Sequence, residues 1–163
     1  MRFRYHASDI LRGLIIYSAG DTAASLILSE FSPVRLLGMM IIGATVYAFE
    51  IPNWFAWIDR RTSSMSQLKG SLARTGLALL YFNPFWIARH LLFIALLTMN
   101  YSSIGWGLLR LGLLSFVVNI PIAIIANSLI QNKIPLRWRF LASATFSSLM
   151  AVYYALSRTI FGS

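Results

Sequence analysis

The hydrophobic positions of this chain fall into five long runs with few polar interruptions. Ile10–Leu28 is broken by Arg12 and Asp21, Leu36–Ile58 holds one charge, Glu50, and Gly76–Met99 is interrupted by Arg89 and His90. Ile104–Gln131 has Arg110 near its start and no charge from Leu111 to Asn132, while Phe140–Ser157 is uncharged but short and rich in Ser, Ala and Thr. Crossing about 30 Å of hydrocarbon as a helix takes roughly 20 mainly apolar residues. Four runs meet that length, and the fifth either spans or packs at an angle against the others. The pattern predicts an all-α, polytopic transmembrane helical bundle of four or five spans. No linker-like stretch interrupts it, so residues 1–163 read as a single transmembrane domain.

The connections predict the orientation. Arg2 and Arg4 precede the first run, Arg60, Arg61, Lys69 and Arg74 separate the second from the third, and Lys133, Arg137 and Arg139 separate the fourth from the fifth. The other two connections are poor in charge: Ser29–Val34 has only Glu30, and Asn100–Ser103 has none. Basic loops alternating with neutral ones follow the positive-inside rule, which places the N-terminus and both basic loops on the cytoplasmic side, or on its equivalent in an organelle. Trp54, Trp57 and Trp138 lie beside basic loops, where interfacial aromatic residues belong. Met1–Ala7 is too short for a transit peptide and no small-residue cleavage site follows the first run, which reads as a retained helix.

Composition narrows the classes. Hydrophobic residues make up 58% of the chain and charged residues 12%, against about 25% charged in soluble domains, which is too few to clothe a soluble surface. A net charge of +9 raises nucleic acid as a partner. The basic residues are scattered between apolar runs, without a basic face or stacking platform, so no nucleic acid is expected. With no cysteine, thiolate metal sites, disulfides and cysteine nucleophiles are excluded. No paired histidines, nucleophile elbow or phosphate-binding loop occurs, so neither an enzyme nor a metal or other cofactor is expected.

The chemistry that remains lies inside the runs. A charge within a span costs a few kcal/mol on insertion scales and normally meets a partner or a water-filled cavity. Asp21, Glu50, Arg89 and Arg110 are predicted at comparable depth, as ion pairs, as the lining of a polar path, or as both. Pairing that only sets helix register is an equal reading. His90 beside Arg89 is a candidate gate, although a lone membrane histidine more often just satisfies a hydrogen bond. A second set consists of Pro52-Asn53, Asn83-Pro84 and Asn119 with Pro121. Each lies roughly eight to eleven residues from the inner end of its run, about 12–16 Å along a helix. Proline frees a carbonyl, which in hydrocarbon needs a partner or a wet cavity. Pro52, Pro84 and Pro121 are thus hinge candidates, and Asn53, Asn83 and Asn119 form a candidate constriction, with independent packing kinks as the plainer alternative. Gly20 with Ala24, Gly38 with Gly43, and Gly105 with Gly112 are small-residue pairs that allow close helix approach.

Several short motifs, spread over nearly the whole chain, resemble one family. Gly20-Asp21 is similar to a Gly-Asp of the peroxisomal membrane protein 22 family, the Mpv group of small proteins of peroxisomal and inner mitochondrial membranes. Arg35, Gly43 and Trp54-Phe55 followed by Ile58-Asp59-Arg60 resemble its Arg, Gly and Trp-Tyr…Leu-Asp-Arg run. Pro121 with Ala126-Asn127, Ile134-Pro135 with Trp138-Arg139, and Tyr154 with Leu156-Ser157 resemble its later segments. The family's Gly-Pro in span two falls here at Ala48-Phe49, its Asp-Gln at the start of span three at Arg74-Thr75, and a Gln at Ile124, and three extra residues precede Pro135. The resemblance implies a channel-like protein of a bacterial inner, mitochondrial inner or peroxisomal membrane, and adds Asn127 to the path residues. Leu72-Ala73, Phe82, Pro84 and Ile87-Ala88 also resemble one helix of the bacterial L-alanine exporter family.

Two functions follow as expectations. One is passage or export of small polar solutes, by channel or carrier, with an alanine-like amino acid as one solute class. The other is a non-transporting subunit that assembles with a larger membrane complex. The expected partners are the lipid bilayer, a small polar solute, and either a second copy of the chain or a membrane-complex partner.

Overall fold

The computed structural model describes residues 3–161, with side chains as far as Tyr153. Among these residues there is helix and no strand. Helix α1 is Ala7–Ile27, α2 Pro33–Ile42, α3 Ala48–Thr62, α4 Gln67–Tyr81, α5 Pro84–Leu97, α6 Trp106–Lys133 and α7 Leu136–Phe161. A π turn, Gly43–Tyr47, joins α2 to α3 without a break, and a 3₁₀ turn, Tyr101–Ser103, precedes α6.

The apolar runs become helices because only a helix satisfies every backbone amide within one apolar segment. Among the described residues, four stretches are long and apolar enough to cross a membrane: Ala7–Ile27, Pro33–Thr62, Gln67–Leu97 and Trp106–Lys133. They coincide with the first four runs, except that the second and third helical stretches extend well into the basic connection. Arg60 and Arg61 lie in the last turn of α3, and Lys69 and Arg74 are already in α4. The fifth run lies within α7, which is helical to Phe161. The side chains of Tyr154, Leu156 and Ser157 lie outside the described residues, as do Met1 and Arg2.

The two neutral connections end their preceding helices alike. Ser29 and Met99 adopt left-handed backbone, with φ of 57° and 54°. The next amides, of Glu30 and Asn100, donate back to the carbonyls of Ser25 and Ala95 at 2.8 and 2.9 Å. This closing motif pairs carbonyls that a helix end would leave unsatisfied.

The sequence shows no linker, yet the helices pack as two compact units, residues 1–53 with 137–163 and residues 54–136. In the first unit α1 runs antiparallel to α2 and its π turn: Asp21 meets Arg35, and Gly13 meets Gly43 backbone to backbone. Helix α7 lies parallel to α1, since Arg12 reaches Arg137 and Trp138 while Ile16 and Gly20 reach Ser148. In the second unit the end of α3 runs antiparallel to α4, with Trp54 Nε1 donating to the Leu77 carbonyl at 3.0 Å. Unbroken α6 lies antiparallel to α4 and α5 together. Gly112 faces Pro84 and Ala88, and Asn132 meets Ser71, Arg74 and Thr75.

Candidate functional site

Each unit holds polar groups inside its helices that bear on the predicted site. In the first, Arg35 Nε and Nη2 donate to the two Asp21 oxygens at 2.8 and 2.7 Å, and both residues are buried. Arg35 Nη1 also lies 3.7 Å from Glu30 in the short connection. Two parallel N–H···O bonds match the planar fork of guanidinium to carboxylate, the strongest geometry open to such a pair. Asp21 or Glu50 was expected within reach of Arg89 or Arg110, and Asp21 is held by Arg35. The hairpin explains why. Asp21 lies in the last third of α1 and Arg35 in the first turn of α2, so a short connection brings them side by side.

The same hairpin corrects the depths. Asn53 exchanges two bonds with the Arg4 backbone, accepting from its N–H at 2.8 Å and donating to its carbonyl at 2.7 Å. Arg4 precedes α1, so Asn53 is level with the start of that helix, at the end of the unit and not in its middle. Its amide also donates to the Phe49 carbonyl at 2.6 Å. Glu50, half-buried in the first turn of α3, therefore lies toward the same end. Asp21 is toward the other end, roughly 20 Å away by helical rise from Arg35 to Glu50. The two acids do not share a depth. Counting from the ends of the second run misplaced Glu50 because α3 continues to Thr62.

In the second unit the third stretch is broken at its middle. Helix α4 ends at Tyr81 and α5 begins at Pro84, with Asn83 as the cap between them. Asn83 Oδ1 accepts from the Trp86 amide at 3.0 Å and its Nδ2 donates to the Leu80 carbonyl at 2.9 Å. It thereby serves one orphan group on each side of the break. Pro84 sits at the first helical position, where its missing N–H is harmless. The other hinge candidates behave differently: Pro52 and Pro121 both lie inside helices that run on through them. Of the three prolines, Pro84 alone begins a helix.

Around that break the sequence-predicted residues divide. Between the Gly112 and Asn132 contacts, α6 places half-buried Asn119 about level with the break, by the rise per residue. One turn into α5, the His90 ring stacks on Trp86, 5.9 Å apart and within 2° of parallel, and the Arg89 guanidinium lies 5.9 Å from the Phe93 ring. Asn127 is buried and donates to its own helix, at the Ala123 carbonyl, at 2.9 Å. Arg110 is exposed in the second turn of α6, on an outer face that it shares with Leu114, Val117, Val118 and Ile125. Among the described residues no three His, Cys, Asp or Glu groups gather as metal ligands.

Two contacts have a signal in the sequence. Arg35 follows Asp21 across a short connection, and a hairpin brings those positions together. Gly13 packs against Gly43 so closely that a Cβ on either would strike the other's carbonyl oxygen, whereas spacing along the chain pairs Gly43 with Gly38. No family model, curated protein or solved structure matches this chain.

Proposed function

We propose that the chain is an integral membrane protein that passes or exports small polar solutes, with the broken third span as the element that receives them. The observation that carries this reading is the interruption at Phe82 and Asn83, midway along an otherwise apolar stretch. Broken backbone at membrane depth is tolerated where it is buried in protein or lines a water-filled cavity. Transporter sites are commonly built on such discontinuous helices, whose half-helix N-termini face anionic groups of the solute. Here the N-terminus of α5 is followed within two turns by Arg89 and His90, and an anionic or zwitterionic solute fits that sign of charge. Asn83 and Asn119 supply amides at the same level.

The alternating basic and neutral connections support an orientation with the N-terminus on the cytoplasmic side or its organellar equivalent. The antiparallel packing of α1 on α2 and of α4–α5 on α6 is compatible with it. The resemblance to the peroxisomal membrane protein 22 family points the same way, since Gly20-Asp21, Arg35 and Gly43, three of its motifs, lie at tight contacts between helices of one unit. The membrane is then bacterial inner, mitochondrial inner or peroxisomal.

Flux of labelled small amino and organic acids into proteoliposomes holding only this protein is the test. Wild type should conduct, Asn83→Leu should depress flux at unchanged thermal stability, and Arg89→Gln should shift preference away from anionic solutes. No flux from well-folded wild type would sink the proposal in favour of a subunit assembling with a membrane complex. The exposed apolar side of α6 would then be the surface offered to that partner.

A further inference from the structure

The turn between α3 and α4 combines three exposed cations with an apolar track. Arg60 and Arg61 end α3, and Lys69 lies in the first turn of α4, all exposed. The turn is tight: the position a Gly70 Cβ would occupy is 3.6 Å from the Thr62 carbonyl oxygen, which holds Lys69 near the end of α3. Asp59, the one acid in residues 59–70, is half-buried. From this corner Leu68, Leu72 and Leu80 follow one another along one side of α4, 72%, 67% and 61% exposed. The rise from Leu68 to Leu80 is about 18 Å, close to the roughly 15 Å depth of one leaflet's hydrocarbon.

We infer that this corner is a binding site for a phospholipid with an acidic headgroup, its phosphate among Arg60, Arg61 and Lys69 and an acyl chain along Leu68, Leu72 and Leu80. Charge and shape commit the site to a lipid. A free anion would have no use for the apolar track, and a soluble acidic protein could not follow it into hydrocarbon. Each basic side chain near an anionic membrane surface strengthens association by about fivefold, and exposed charges of this kind are weakened by salt.

This inference rests on the membrane reading, and the experiment separates the two. The protein is reconstituted in phosphatidylcholine vesicles, and its hold on spin-labelled phosphatidylglycerol is compared with that on spin-labelled phosphatidylcholine. Protein extracted from the vesicles by alkaline carbonate would show that the membrane reading itself fails, and the site with it. With protein retained, the expected result is a preference for the acidic lipid of about fivefold or more. Most of that preference should disappear in the Arg60→Gln/Arg61→Gln/Lys69→Gln variant. Free glycerol phosphate should leave the wild-type preference unchanged. Equal hold on both lipids by wild type, an undiminished preference in the variant, or displacement by free glycerol phosphate would each overturn the site.

Discussion

Asp21 is tolerated in an apolar bundle because Arg35 takes both of its oxygens. Removing one partner leaves the other buried and unpaired, a loss of about 3–5 kcal/mol, whereas replacing both with apolar groups of similar size is often close to neutral. Asp21→Asn and Arg35→Leu should therefore each lower the thermal unfolding temperature in detergent markedly, and Asp21→Leu/Arg35→Leu should recover much of the loss. A double variant that loses the sum of the two single losses would show that the pair itself contributes little. Asp21 was legible as a costly position in the sequence, while Arg35 entered only through a resemblance. Their partnership was not legible, because the acid and base interspersed along five runs allow many pairings, and only the turn after Ile27 selects this one.

At the scale of helices, the close approach of α1 to the π turn depends on Gly13 and Gly43. A methyl on Gly13 would strike the Gly43 carbonyl oxygen, which is backbone and cannot rotate aside. Gly13→Ala should destabilise by about 1–3 kcal/mol, the usual range for overpacking a tight contact. Gly76 lies inside α4 with nothing within 4 Å of an added Cβ. Gly76→Ala should stabilise by about 0.5–1 kcal/mol through helix propensity alone. Opposite shifts of these two glycine-to-alanine variants in one unfolding assay would support the packing, and equal shifts would contradict it. The same scale separates the prolines. Pro84 begins a new helix within the third apolar stretch, with Asn83 as its cap, while Pro52 and Pro121 are carried inside continuous helices. Proline in a sequence marks where a break is permitted, and the capping side chain decides where one occurs.

For the whole molecule the orientation is testable directly, since the chain has no cysteine. Met65→Cys lies in the connection from α3 to α4 and Tyr101→Cys in the one from α5 to α6; both native side chains are exposed. Alternating basic and neutral connections predict that an impermeant thiol reagent reaches position 65 from the cytoplasmic side and position 101 from the opposite side. Labelling of both from one face would overturn the topology and, with it, the placement of the broken span in the bilayer.

Four long apolar helical stretches were legible in the chain, since a run of about 20 apolar residues has few ways to satisfy its backbone other than as a helix, but the break of the third at Phe82 and Asn83 was not. Charge places Arg60 and Arg61 in a connection, yet α3 continues through both to Thr62. Which polar side chains meet was decided by tertiary structure alone. Asp21 with Arg35, Asn53 with Arg4 and Gly13 with Gly43 each join residues on different segments, and their registers come from how the helices lie against one another. Composition and spacing act along the chain, whereas pairing across it depends on helix length, crossing and the reach of individual side chains, and these exist only once the helices have packed.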